Sequence, residues 1–160
     1  MWKYSTKNDY PIIILHDCCI ENITIDGHNI VFDFDENGFW VSGNSKYNSD
    51  EKTLRTDKSE VQFTNCDFDF IRIYIYNTYR IFGKPFFTRR IELPLKKLST
   101  LINSRKWQFE FIDELYAWHE AFFIGLLRSK SKPYHIECQI HFSYEDMLYC
   151  WNKVCEDRPW

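Results

Sequence analysis

The densest cluster of side chains capable of chemistry is the run His16-Asp17-Cys18-Cys19. In an extended backbone His16 and Cys18 point to the same side, so a cysteine–histidine nucleophile pair is conceivable, with a distant acid as its orienting group. The same residues also fit a structural role, in which Asp17 bonds local backbone groups at the start of a strand and His16 is a half-buried neighbour. We favour the structural interpretation and keep His16, Asp17 and Cys18 as a candidate cluster.

A second set, His135, Cys138 and His141, contains good zinc ligands. If residues 134 to 142 form a strand, Cys138 points away from the two histidines, which then lie roughly 20 Å apart along it. Cys150 and Cys155 lack the C-x-x-C spacing of a zinc knuckle, and the chain has no nucleophile elbow, H-E-x-x-H pair or phosphate-binding glycine loop. We therefore expect no metal, no cofactor and no catalytic residue, and predict that the protein is not an enzyme.

Surface residues that would bind another protein are the remaining candidates. The chain has six Trp and ten Tyr, more than a core of this size easily hides, and exposed aromatic residues often anchor protein contacts. Acidic side chains near the second strand could meet a basic partner. The predicted binding residues are Asp33, Asp35, Glu36, Trp40 and Trp118.

Charge and composition narrow the class of partner. Net charge is −3, from 20 basic and 23 acidic residues, and the pairs Arg89-Arg90 and Lys96-Lys97 have acids near them in sequence. Nucleic acid binding depends on neutralising phosphates with basic residues, so we expect no nucleic acid partner. Aromatic residues make up 19% of the chain, which favours β-structure.

The N-terminal residues carry charges but no apolar run of signal-peptide length, and no segment is long and apolar enough to predict a membrane span. This predicts a cytoplasmic protein without membrane contact. In a reducing compartment cysteines remain free thiols, most of them buried. There are six: Cys18, Cys19, Cys66, Cys138, Cys150 and Cys155.

Residues 15 to 41 predict three antiparallel strands. Asp26-Gly27 and Asn37-Gly38 are hairpin-turn dipeptides between β-type segments. Residues 42 to 60 are nearly all polar and lack periodicity, which predicts a long loop. Further strands are predicted at 61 to 64 and 68 to 76, the second with apolar side chains on both faces and therefore covered on both sides.

The second half of the chain predicts more strands and one helix. A strand at 79 to 82 and a turn at residues 83 to 85 lead into a strand to residue 93. Pro94 begins a helix to about Ser104, because the leucines follow helical spacing. For residues 107 to 128 we favour two strands meeting near residues 117 to 120 over a helix from 113 to 128. In residues 134 to 142 apolar and polar side chains alternate, which predicts a strand with one buried face. A last strand is predicted at about 146 to 154.

These elements predict a mainly β (α+β) protein, a single domain over residues 1 to 160. The architecture is an antiparallel curved sheet or a partly closed barrel with one short helix. A curved antiparallel sheet can enclose a ligand cavity or present binding surfaces, so the architecture alone leaves the function open.

One part of the chain resembles a known group. Leu15-His16-Asp17 with Ile20, followed by the Asp26-Gly27 hairpin and the Gly38-Phe39-Trp40 turn, is similar to small bacterial proteins beginning L-H-D-x-x-I, some of them immunity-type proteins of toxin systems. The stretches F-E-F-I-D-E-L-Y-A-W and P-Y-H-I-E-C-Q-I resemble their C-terminal strands. The resemblance implies a cytoplasmic, non-catalytic protein that masks a toxin, and it carries over no binding residue.

The leading hypothesis is a non-catalytic protein-binding module, specifically an immunity protein that masks a toxin. Its partner would be another protein, and the acidic residues on the strands favour a basic toxin. Association with further copies of the same chain into a homo-oligomer is compatible with the same features. The first alternative is a small-ligand-binding β-barrel with an aromatic-lined cavity. The second is a Cys/His-dependent enzyme built around His16, Asp17 and Cys18.

Overall fold

Strands make up most of the computed structural model, which describes all 160 residues. The strands, in chain order, are β1 (Tyr4–Lys7), β2 (Ile13–Ile14), β3 (Cys19–Asp26), β4 (Asn29–Phe34), β5 (Trp40–Val41), β6 (Leu54–Thr56), β7 (Glu60–Thr64), β8 (Arg72–Ile81), β9 (Lys84–Glu92), β10 (Trp107–Ala117), β11 (Glu120–Ser129), β12 (His135–Ser143), β13 (Asp146–Trp151) and β14 (Val154–Pro159). The one helix is α1 (Leu95–Asn103), and Phe68–Phe70 form a short 3-10 turn. At nine residues α1 falls far short of a bilayer span, and no other helix has the length and apolar character to make one.

Ten strands form one sheet in the order β1-β13-β7-β4-β3-β10-β11-β12-β8-β9, and four short strands form a second sheet in the order β14-β6-β5-β2. Every pairing is antiparallel. The large sheet is curved and stays open, with β1 and β9 at its edges. The predicted fold class, mainly β with a curved antiparallel sheet and one short helix, is confirmed.

The curvature brings phenylalanine rings from distant strands together on the concave side. Phe32 on β4 meets Phe111, Phe123 and Phe142 on β10, β11 and β12, with ring centroids 6.3 to 6.4 Å apart. Phe63 on β7 packs edge-on against Phe142 at 4.8 Å. Aromatic pairs in such geometries contribute about 0.5 to 1.5 kcal/mol beyond the area they bury. Side chains therefore fill the interior of the sheet.

The helix covers a gap in the sheet. β3 and β10 pair at only two positions before they diverge. At the end of α1, the Asn103 side chain accepts a hydrogen bond from the Ile23 N–H at 2.8 Å and donates one to the Ile23 carbonyl at 2.9 Å. Leu98 and Ile102 are buried beneath the helix. The predicted helix is confirmed, with Pro94 and Ser104 as its flanking residues.

The ambiguous segment from 107 to 128 forms two strands. β10 and β11 pair from Trp107↔Ser129 to Ala117↔Glu120, with a register shift between Phe111 and Asp113. The two-strand prediction is confirmed and the helical alternative is wrong: the two strands pair with each other along their whole length, and β11 also pairs with β12. Alternation in β12 is also as predicted, with Cys138 and Ile140 facing the core.

The polar segment from 42 to 60 is not a loop throughout, because it contains β6 and the start of β7. Leu54, Thr56 and Ser59 are buried in it. The Thr56 hydroxyl accepts a hydrogen bond from the Phe39 N–H at 3.0 Å. Buried polar side chains such as Asn48 and Thr56, which hydrogen-bond to backbone groups, gave part of this stretch the composition of a loop.

Asn37-Gly38 does not close a hairpin within one sheet. β4 belongs to the large sheet and β5 to the small one, so the turn carries the chain from one to the other. The third of the predicted antiparallel strands therefore does not pair with the second. Gly38 has φ +54°, and a Cβ there would overlap Thr56 Oγ1 and the Asp57 carbonyl oxygen.

The predicted doubly covered strand at 68 to 76 is wrong in two respects. Phe68–Phe70 form the 3-10 turn, whose preceding residue Asp67 accepts a hydrogen bond from the Asp69 N–H at 3.0 Å, and β8 begins only at Arg72. β8 then continues to Ile81 in one long hairpin with β9, although β12 pairs with it only at residues 72 to 76. Beyond Tyr76, no other element packs against either face of the β8–β9 hairpin.

Gly38→Ala is expected to lower the free energy of unfolding by about 3 kcal/mol, measured by urea denaturation. The added Cβ meets both the penalty of a left-handed backbone and a steric overlap with fixed neighbours. Gly27→Ala is the matched control: Gly27 has φ +58° with no atom near its Cβ position, so about 1 kcal/mol of strain is expected. Equal losses in the two variants would contradict the close packing at Gly38.

Candidate functional site

The predicted cluster His16, Asp17 and Cys18 lies at the corner between β2 and β3. Asp17 has φ +57°, and its N–H donates to the Phe111 carbonyl at 2.8 Å. The His16 ring lies at the surface, with Nδ1 2.6 Å from the Ile112 carbonyl oxygen. Cys18 is fully buried, and its sulfur lies against backbone carbonyls. The corner therefore separates the imidazole from the thiol.

Arg55 on β6 holds this corner together. Its Nη2 donates to the Asp17 carbonyl at 2.8 Å, and its Nη1 donates to the Gly38 carbonyl and to Cys18 Sγ, both at 3.2 Å. The guanidinium carbon lies 4.0 Å from the centroid of the Trp40 ring. A cation over a Trp face is attracted to it by about 0.5 to 2 kcal/mol. Sequence reasoning missed Arg55 because it lies 37 residues from Cys18.

Glu114 fixes the corner from the other side. Its carboxylate accepts hydrogen bonds from the Leu15 N–H at 2.8 Å and from the Tyr116 hydroxyl at 2.6 Å. Burial raises the pKa of the Glu114 carboxyl above its ordinary value, although both hydrogen bonds oppose that effect. Glu114 thus holds backbone in place, and its hydrogen bonds go to Leu15 and Tyr116 and not to His16 or Cys18.

The cysteines show no sign of activation. Burial raises the pKa of the Cys18 thiol far above its ordinary value, despite the nearby positive charge of Arg55. Burial also raises the pKa of Cys138 to about 12. All six cysteines are unpaired and five of them are buried, as predicted. A neutral, buried thiol is a poor nucleophile, so the geometry favours the structural role of this cluster.

The possible zinc ligands are dispersed. Cys138 faces the core, and His141 Nε2 lies 3.0 Å from Glu120 Oε2 on the opposite side of the sheet. His135 lies at the far end of the same strand. Nowhere in the structure do three or more His, Cys, Asp or Glu side chains lie close enough together to hold a metal ion.

The predicted acidic residues make local contacts. Asp33 accepts a hydrogen bond from Asn22 Nδ2 at 2.6 Å, and Asp35 accepts one from the Asn37 N–H at 2.8 Å. Glu36 is exposed in the turn after β4. The Asp33 carboxylate thus stabilises the β3–β4 hairpin and the Asp35 carboxylate stabilises the turn that follows, so both are already engaged within the chain.

The two predicted tryptophans lie in different places. Trp40 is half-buried against Arg55 and stacks near Trp160, with ring centroids 4.8 Å apart. Trp118 lies at the tip of the β10–β11 hairpin, nine residues beyond Phe109, which pairs with β3. That is roughly 25 to 30 Å of strand. The structure therefore does not gather the five predicted binding residues into one surface.

Trp118 and His119 form a strained turn. Both have positive φ, 49° and 64°, at the central positions of a two-residue hairpin loop. Such turns favour Asn and Gly, and a bulky residue in this conformation costs about 1 kcal/mol. The Trp118 side chain is 95% exposed and gains no packing in return. Strain of this kind at an exposed aromatic residue keeps Trp118 a candidate for contact with another molecule.

The largest set of exposed apolar side chains lies elsewhere, on residues 78 to 91 of β8 and β9, which we call the projecting hairpin. It extends past the last residue of β8 that pairs with β12. Its large apolar side chains are 49 to 100% exposed, and they are Tyr79, Ile81, Phe82, Phe86 and Phe87. One third of the exposed large hydrophobic residues in the chain are therefore on this one element.

The projecting hairpin is an ordered element. Its ladder continues to Ile81↔Lys84 with one register shift, and Phe82-Gly83 closes it with positive φ at both residues. The Tyr79 and Phe87 rings stack with centroids 6.0 Å apart. The hairpin thus holds its exposed side chains in place. The sequence predicted strands at 79 to 82 and up to residue 93 but did not predict that they are exposed, because alternation does not show whether another layer lies over a strand.

Comparison of the chain with models of protein families, with curated proteins and with solved structures gives no match. The surfaces described above are therefore the basis for inferring function.

We expect iodoacetamide to leave Cys18 unmodified in the folded protein at about pH 8, close to the ordinary pKa of a thiol. Burial keeps the thiol protonated and excludes the reagent. Peptide mapping by mass spectrometry measures the modification. The control is the same reaction in urea, where Cys18 should react like the other cysteines. Fast alkylation of Cys18 in the folded protein would favour the nucleophile hypothesis.

Replacing the turn residues Trp118→Asn and His119→Gly together is expected to raise the free energy of unfolding by about 1 kcal/mol. Relief of strain at the two positions, about 2 kcal/mol together, outweighs the loss of the 2.9 Å contact between His119 Nδ1 and the Glu145 carbonyl oxygen, about 1 kcal/mol. Trp118→Ala is the control: it removes the ring and keeps the strained backbone, so a change within about 0.5 kcal/mol is expected. Thermal and urea denaturation measure both. A clear loss of stability in the double variant would mean that the two side chains are structural.

Proposed function

We propose that this protein is a non-catalytic protein-binding module and that the projecting hairpin is its contact element. The observation that carries the proposal is the group of exposed apolar side chains on that hairpin, with Phe82 100% and Phe86 75% exposed. Contiguous exposed apolar patches in folded proteins usually mark interaction sites. Large aromatic side chains also supply much of the binding energy at protein interfaces.

The shape of this surface favours a protein partner over a small ligand. Small-molecule sites are concave and bury most of the ligand. The hairpin projects outward instead, and the phenylalanine cluster fills the interior of the sheet. Four surface depressions of about 390 to 470 Å³ lie open at the strand ends and beside the helix. The projecting shape of the hairpin therefore supports a protein partner better than the ligand-binding alternative.

A module of this kind acts by occupying a surface of its partner, and it needs no reacting group. The buried thiol of Cys18 and its separation from His16 are compatible with such a role. The resemblance of the L-H-D-x-x-I segment to immunity-type proteins makes a toxin the first partner class to test. A cytoplasmic location belongs to the same proposal, because the six free thiols suit a reducing compartment.

Phe82→Ser with Phe86→Ser is expected to weaken binding to the partner about 100-fold, because truncating each central aromatic residue typically costs at least 1 to 2 kcal/mol. The fold should persist, since neither ring contributes to the core. The partner is identified by photo-crosslinking from position 82, and its affinity is measured by calorimetry.

Leu115→Ser is the matched control, because Leu115 is 56% exposed on β10, outside the projecting hairpin. It should bind like the wild type. Growth of cells that carry a toxin encoded beside this protein tests the immunity role, and wild type should protect where the double variant does not. Unchanged affinity in the double variant would refute the proposal, as would a crosslink only to a second copy of the chain.

A further inference from the structure

The projecting hairpin is the most basic element of a chain whose net charge is negative. Between Thr78 and Ile91 there are four cations and no acid. All four side chains are exposed: Arg80, Lys84, Arg89 and Arg90. Arg90 lies over the Tyr74 ring, with its guanidinium carbon 4.6 Å from the centroid. The apolar side chains of the hairpin therefore lie in a positively charged setting.

The strand register brings more cations to the same end of the sheet. Trp107 at the start of β10 pairs with Ser129, and Arg128 pairs with His135 at the start of β12. β12 in turn pairs with β8, next to β9. The cations that precede β10, lie at the end of β11 or lie between β11 and β12 therefore border the base of the hairpin. They are Arg105, Lys106, Arg128, Lys130 and Lys132.

We call these two groups together the basic row. It crosses five neighbouring strands, β10, β11, β12, β8 and β9, which at the usual strand spacing is roughly 20 Å. It contains nine of the 20 Lys and Arg residues of the chain. Four acids lie along it: Glu21, Glu92, Glu110 and Glu137. Glu110 forms an ion pair with Arg128, which leaves eight cations and three acids. The basic row therefore carries a clear excess of positive charge.

A cleft of about 390 Å³ lies at one end of the basic row. Four of its lining side chains are cationic, and Glu21 is the only acid among them. Arg105, Lys106 and Lys130 form no ion pair within the chain. Trp107 supplies the one apolar wall. The cleft thus presents unpaired cations around an opening that suits a carboxylate-bearing segment.

We infer, on the basis of the proposed function, that the partner presents an acidic polypeptide segment which lies along the basic row from the cleft to the projecting hairpin. Its carboxylates would meet the cations, and its apolar side chains would meet Ile81, Phe82 and Phe86. Charge complementarity of this kind speeds association and selects the partner. An acidic partner is opposite in charge to the basic partner that the sequence predicted from Asp33 and Asp35.

The charge distribution favours a polypeptide over a nucleic acid. The exposed rings of Phe82 and Phe86 offer stacking surfaces for bases as well as contacts for apolar side chains, so an oligonucleotide is the necessary competing probe. The rest of the chain has an excess of acids, which would repel a polyanion longer than the row. A short segment with alternating acidic and apolar residues fits both the charge and the length.

The probe is a fluorescent peptide of about eight residues with alternating Glu and Leu, long enough in extended form to span the row. Lys106→Glu with Lys130→Glu is expected to weaken its binding at least about tenfold, and raising the salt concentration should weaken binding to wild type. Lys58→Glu with Lys153→Glu is the control, because it changes net charge equally beside the small sheet and should bind like wild type.

A single-stranded oligonucleotide of similar length is the competing probe. Tighter binding of the oligonucleotide than of the peptide, with a steep salt dependence, would overturn the inference in favour of nucleic acid. Peptide binding that is absent, or equal in both charge-reversal variants, would also overturn it. If the crosslinked partner still depends on Phe82 and Phe86 in that case, the proposed function stands and only the acidic character of the partner is wrong.

Discussion

Packing of phenylalanine rings on the concave side of one curved sheet is the interaction on which the rest of this structure depends. Phe32, Phe63 and Phe142 come from three separate strands, and they meet only because the ten-stranded sheet bends over itself. Most residues buried in this core are hydrophobic, and the buried residues classed as polar or charged are few: Asn48, Thr56, Ser59 and Glu110. Most chargeable side chains therefore lie at corners, strand ends and the outer surface.

The corner between β2 and β3 shows how residues with reactive side chains can serve structure. Its backbone turns sharply at Asp17 and leaves carbonyl oxygens that need donors. Arg55 and Trp40 supply those donors, and Cys18 fills the space beneath them. Buried polar groups must be hydrogen-bonded, and that requirement accounts for this cluster without any reaction. The function is better sought on side chains that the fold leaves unused.

The projecting hairpin holds such side chains. β8 and β9 continue after β12 has ended its pairing with them, so their apolar residues have no layer to pack against. The same register places the cations of two connections and of the end of β11 beside the hairpin. Apolar and positively charged groups thus share one end of the sheet, where the proposed partner would find both a hydrophobic contact and a complementary charge.

Much of the fold was determined by the sequence itself: strand alternation, the helix after Pro94, the β10–β11 hairpin and the inward side of β12 all follow from local periodicity. Only the tertiary structure decided which strands lie side by side, that β5 joins a second sheet, that Arg55 reaches Asp17 and that residues 78 to 91 lack a covering layer. Periodicity reports the backbone conformation of a segment, whereas burial and charge clustering depend on contacts between residues far apart in the chain. The candidate surface depends on such contacts between distant residues, so local periodicity did not reveal it.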